Sequence, residues 1–227
     1  MQQFSLRLSA VAAIVSLSAM SAQALTLPTN FLVADSVQEF TSDNLDALDL
    51  VGMTIAARGT ASAVKAGPYG TPAAFSFPIT KIVIGSGLKI ASGTASGAAL
   101  YFDRMNEDTG AILGLTLANF TIDYVKHQVL ADTTPKGGST LKMMPLYNFT
   151  VNTPLGLKYS FPLNITLHEQ LGDLRLTDQA RNVILTTMEL NADIVDESLR
   201  ASFGTLTQDV TTKLRSKAVS TTPYTAK

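Results

Sequence analysis

"LANFTIDYVKHQVLADTT", Leu117 to Thr134, is the stretch that decides the fold. Leading into it, Leu113, Leu115 and its own first residue Leu117 share one parity; within it, Phe120, Ile122 and Tyr124 share the other. Alternation of this kind marks a half-buried strand. The slip at Ala118-Asn119 predicts a bulge or bend, because one extra residue moves every later side chain to the opposite face. A return strand follows Lys126-His127-Gln128, so the stretch reads as a hairpin with Phe120 and Ile122 in the core. Two registers are open. A three-residue loop sets Val125 against Val129 and Tyr124 against Leu130; a two-residue loop sets Tyr124 against Val129. In both, His127 sits at the solvated tip and Tyr124 belongs to the apolar face. An alanine at 127 is then expected to leave the melting temperature nearly unchanged. Tyr124 and His127 are the candidate ligand-binding residues, on condition that a pocket lies at that end of the molecule.

The flanking sequence is written in the same style. "AFSFPITKIVIG" breaks at Pro78, and "GLKIASG" and "GAALYFDRM" are short runs bounded by glycine. "PLYNFTVNTP" and "KYSFPLNITLHEQL" continue the pattern. Many short strands punctuated by Gly, Pro and Asn predict a mainly β fold, an antiparallel β-sandwich with two or three short helices. One helix is expected over 43–51, where Leu45, Leu48 and Val51 recur at helical spacing between a Ser42 cap and Gly52. A second is expected in "LTDQARNVILTTMEL", capped by Thr177. "GTLTQDVTTKLRSK" fits helix and strand alike.

The first residues, "MQQFSLRLSAVAAIVSLSAMSAQA", join one basic charge, a short apolar run and an A-x-A site. That is the pattern of a secretory signal peptide, so residues 1–24 are expected to be cleaved, leaving a single β-sandwich domain over 25–215 and a loosely ordered tail over 216–227. With no Cys the exported chain has no disulfides and relies on its core, which the 46% apolar content can supply. Periplasm or cell surface is the expected location. The net charge is −1, and −2 once the +1 of Arg7 is removed. No basic stripe exists to neutralise phosphates, so nucleic acid is not an expected partner. The absence of Trp disfavours an indole platform for sugars. Glycine-bounded runs shorter than the roughly 9–11 residues of a spanning strand, and a tail without a terminal aromatic, argue against an outer-membrane barrel.

Few motifs carry chemistry. There is no G-x-S-x-G elbow and no P-loop. His168-Glu169 begins like a zinc-protease helix, but the second ligand position is Gly172, so the motif fails. Asp103, Arg104, Asn106, Glu107 and Asp108 lack the alternating ligands of a calcium loop and read as a solvated turn closed by Gly110. No catalytic or metal residue is expected.

The order of "FP", "GAALYFDR" and "GLTLANFTIDYVKHQVLADTT" resembles the hairpin core of HtaA-type haem-binding domains of bacterial surfaces, which carry a similar strand followed by a return strand. Most of the chain, through "LANFTIDY", "QVLADTTP" and "VSTTPY", also resembles a group of exported proteobacterial proteins to which no function is attached. The HtaA-type resemblance implies haem, which that family holds through a tyrosine supported by a histidine. No residue here matches the motif around that tyrosine, so Tyr124 and His127 remain candidates by chemistry alone. The expectation is an exported, non-catalytic binding or envelope-structural module with no cofactor. The alternative is a carrier of haem or another small apolar ligand, and a hydrolase assembled from separate loops is the third class.

Overall fold

The computed structural model describes residues 24–86, 89–160 and 164–226; all of the expected signal except Ala24 lies outside the described residues. In chain order the elements are β1 Leu25–Pro28, β2 Leu32–Glu39, α1 Ser42–Leu50, β3 Met53–Gly59, β4 Ser62–Lys65, β5 Ala74–Pro78, β6 Lys81–Ile84, β7 Ile90–Met105, β8 Ile112–Asp123, β9 Gln128–Pro135, β10 Leu141–Ser160, β11 Asn164–Leu176, α2 Asp178–Thr187, α3 Ala192–Arg200 and β12 Thr205–Leu214. The protein is mainly β and antiparallel, with three short helices among the described residues, as expected.

All twelve strands of the described residues belong to one sheet, in the order β1-β6-β7-β8-β9-β10-β11-β12-β2-β5-β4, with β3 paired to β7 off this path. The two ends of this order lie in the same ribbon. β1 pairs with β6 and β2 with β5, and the chain kinks between the two halves at Thr29–Phe31 and Ile79–Thr80. Hydrogen bonds from Ile79 N to Ala34 O, Thr80 N to Thr94 O and Thr29 N to Thr80 O carry the ribbon through its kink. One half binds β7 and the other binds β12, so the sheet curls on itself into a half-barrel.

Side chains explain the elements. β8 buries Leu115, Leu117, Phe120 and Ile122, and its parity changes at Asn119, which takes φ +54 within a register shift. The bulge expected at Ala118-Asn119 is therefore present. Glycines do not end strands as expected: Gly93 lies inside β7, and Gly97 forms a bulge there at φ +82, so two expected short runs are one strand of 16 residues. β10 reaches 20 residues. The strand-length argument against a membrane barrel thus falls. The inside of the curl is packed with Phe75, Leu100, Leu115, Leu146, Leu171 and Leu174, an apolar core and not a polar lumen. Among the described residues no helix is long and apolar enough to cross a membrane.

Thr41, not Ser42, caps α1, with a reciprocal bond from its own N–H to the Asn44 side chain. Thr177 caps α2 as expected. α3 has no counterpart in the expected elements; Asn191 caps it, and Val195 and Leu199 bury its inner face. The ambiguous "GTLTQDVTTKL" is a strand, because β2 and β11 both need it as a ladder partner. The helices pack over one end of the half-barrel, around Phe102, Leu115, Leu117 and Met188. The opposite end carries the β8–β9 turn and the long β10–β11 hairpin. The tail, expected to be loosely ordered, lies against the sheet, where Tyr224 is hydrogen-bonded to Asn119.

Candidate functional site

The β8–β9 turn differs from both expected registers. Asp123 pairs with Gln128 and Ile122 with Val129, so the loop has four residues, Tyr124 to His127. Asp123 shapes it by accepting hydrogen bonds at Oδ1 from the N–H groups of Val125 and Lys126, both at 3.0 Å. His127 closes the turn at φ +53, in the left-handed region that histidine tolerates better than most residues. It is exposed, as expected, but its ring stacks on Phe149 at 5.6 Å. Alanine at this position would keep the left-handed backbone and lose the stacking contact.

Tyr124 lies edge-on to the same Phe149 ring, at 6.1 Å. Its hydroxyl donates to Glu169 Oε2 at 2.5 Å and accepts from Gln208 Nε2 at 2.7 Å. Gln208 also donates to Glu169 Oε2 at 2.8 Å. Register explains the meeting: Glu169 on β11 stands opposite Gln208 on β12, and Gln208 stands opposite Ser36 on β2. Glu169 and Gln208 are buried, at 4% and 6% exposure. Burial pushes the Glu169 carboxyl above its ordinary value, partly offset by the Tyr124 hydrogen bond. Burial, and then the Glu169 charge, raise Tyr124 far above the ordinary phenol range, so the phenol keeps its proton.

Beneath this cluster lies a cavity of about 30 Å³, lined by Phe77, Phe120, Ile122, Leu206, Gln38 and Ser36 among others. Gln38 Nε2 donates to the Tyr147 hydroxyl at 3.2 Å, and burial lifts that phenol to about 12. The buried Ser36 Oγ has no hydrogen-bond partner. An orphaned buried hydroxyl beside a space of this size is a place for one water-sized polar group.

Beside the cluster, at the end that carries the β8–β9 turn, a second small core buries Ala34, Ile79 and Ile82, with Leu32, Ile84, Ile90 and Val210 packed against it. The β10–β11 hairpin extends beside it. Tyr159 pairs with Ile165, and strand alternation places both on the face of Glu169. Tyr159, Leu155 and Leu214 are exposed there at 58%, 39% and 62%.

Of the two expected site residues, Tyr124 lies in this hydrogen-bonded cluster and His127 does not, but both rings meet the buried Phe149, Tyr124 edge-on at 6.1 Å and His127 stacked at 5.6 Å. Glu169 and Gln208 were not expected as site residues. The arrangement does not fit an iron porphyrin held by Tyr124. The hydroxyl is committed to Glu169 and Gln208, no imidazole supports it, and the adjoining space is of water size. His168 is on the outer face of β11, 2.7 Å from Asp209. Among the described residues no three His, Asp or Glu side chains converge as a metal site.

No protein-family model matches the chain, and no curated protein is similar to it. Two solved structures are similar in chain path. One is the haem-binding protein HtaB from Corynebacterium glutamicum, at 14% identity and a TM-score of 0.49, covering 85% of this chain and 98% of that one. The other is the C-terminal domain of HtaA from the same organism, at 12% identity and a TM-score of 0.47, covering 80% of this chain and 98% of that one. No binding residue transfers at 12–14% identity.

Proposed function

We propose that this protein is an exported, non-catalytic module that binds a small, largely apolar ligand at the end of the half-barrel that carries the β8–β9 turn. One observation carries the reading: the sheet face that buries Glu169 and Gln208 with Tyr124 also exposes the apolar side chains of Tyr159, Leu155 and Leu214 toward its strand ends. Ligand sites combine apolar walls with a few convergent polar groups in this way. The walls supply affinity through buried area. The buried hydrogen bonds of Tyr124, Glu169 and Gln208 hold the turn and strands β11 and β12 together beneath that surface.

The test is a titration of the mature chain with the neutral fluorescent probe N-phenyl-1-naphthylamine. Saturable enhancement is expected, and Leu155→Asp should weaken it at least fivefold without unfolding this exposed site. Absence of saturable binding would end the reading. Haem is titrated in parallel: a Soret band that Tyr124→Phe abolishes would replace this reading with a tyrosine-ligated haem carrier. Export is tested on the protein recovered from cells, whose intact mass should correspond to a chain beginning at Leu25.

A further inference from the structure

A second built site lies on the outer face of the sheet, and part of this chain already occupies it. Three neighbouring irregularities line up there. β7 bulges at Gly97 with φ +82, β8 at Asn119 with φ +54, and β10 at Met143 with φ +51, with Asp132 of β9 between the last two. Asn119 is buried, and its side-chain amide makes four hydrogen bonds. Oδ1 accepts from Gly97 N at 3.1 Å and from Tyr224 N at 2.7 Å. Nδ2 donates to Asp132 Oδ2 at 2.9 Å and to Tyr224 O at 3.0 Å. A side-chain amide has two donors and two acceptor lone pairs, so its capacity is filled.

The cradle is itself held rigid. Asp132 accepts from Lys142 Nζ at 2.8 Å and from Met143 N at 3.0 Å. These bonds, with the one from Asn119, outweigh burial and keep its carboxyl below the ordinary value. Two of the four Asn119 bonds go to the backbone of one tail residue, the pairing a neighbouring strand would give. Close approach depends on glycine. A Cβ on Gly97 would lie 2.9 Å from Thr222 O, and one on Gly59 would lie 2.9 Å from the Tyr224 ring. The segment reaching this cradle is lightly held. It is anchored at Arg215, Val219 and Tyr224, and residues 216–218 and 220–223 between the anchors are exposed.

We propose that the Asn119 cradle is a peptide-recognition site. It reads one residue's backbone with both atoms of the Asn119 amide and seats that residue's aromatic ring over Gly59. The chain's own Ser220–Tyr224 occupies it in cis as a displaceable ligand. The ligand class is an extended peptide with an aromatic residue in the place of Tyr224. Segments with few buried contacts open well below the global unfolding free energy, which makes exchange accessible.

The experiment uses the full mature chain and a fluorescein-labelled peptide of residues 218–226, read by anisotropy. Tyr224→Ala weakens the internal occupant, so this variant should bind the peptide saturably. The parent should bind at least tenfold more weakly, because its own tail competes at an effective concentration on the order of millimolar. Adding Asn119→Gly, which suits the left-handed backbone and removes the amide, should abolish binding. A peptide carrying alanine in place of the tyrosine should also fail to bind, and this holds whether or not the glycine variant folds. The proposal is overturned if Tyr224→Ala binds no peptide, if parent and variant bind equally, or if the alanine peptide binds as well as the native one.

Discussion

A left-handed backbone at His127 sets a penalty that depends on side-chain shape. His127→Val should cost about 1–2 kcal/mol, because a branched Cβ crowds the following carbonyl at positive φ. His127→Gly should cost less than half of that, losing only the ring contact with Phe149; thermal melts of the two variants give the comparison. Glu169 makes a pH prediction. Its folded pKa lies above the ordinary value of 4.5, so the folded chain holds this proton more tightly than the unfolded chain. Stability from this group is full below pH 4.5 and falls as pH rises through the folded pKa. Glu169→Gln keeps an acceptor for Tyr124 and cannot ionise, so melting temperatures measured from pH 4 upward should lose that decline. At this scale the sequence shows little. Tyr124, Glu169 and Gln208 lie far apart in the chain, and nothing local to Glu169 marks it as the partner of a phenol. The one local signal, His168-Glu169, points toward a metal motif that fails.

Strands and helices are more legible, because burial on one face writes a period into the residues themselves. The β8 bulge could be read at Ala118-Asn119, and α2 from its Thr177 cap. Ile122→Asp should cost more than about 4 kcal/mol by burying an unpaired charge in the interior, and should leave no cooperative melt. The β8–β9 turn was misread because its special conformation falls on histidine, where neither glycine nor asparagine announces it. β12 was ambiguous for another reason: its identity depends on β2 and β11, which local spacing does not contain. The β12–β2 ladder also has a gap between Val210 and Leu214. Arg215 fills it, donating through Nε to Leu32 O at 2.7 Å and through Nη2 to Ala34 O at 2.8 Å, with Asp35 beside it. Arg215→Met should therefore cost about 1–3 kcal/mol by leaving these carbonyls unpaired, measured by urea unfolding.

For the whole molecule, composition and patterning reach as far as a mainly β domain with short helices. They do not reach the closure. That both ends of the sheet order fall in one kinked ribbon follows from the pairing of β1–β2 with β5–β6, and no periodicity records it. The closure bears on how the chain is made. β6 through β12 form a meander in which each strand joins the one just completed, so this part can assemble as it is synthesised. β2 cannot finish with it. One of its neighbours is β12, where Glu39 meets Thr205. Among the first of the described strands to be made is one whose partner is the last of them. Until then residues 32–39 carry an unpaired ladder edge, the template on which chains join one another wrongly. The nascent chain therefore needs shielding at one segment above all, from the completion of β2 until β12 arrives to cover it.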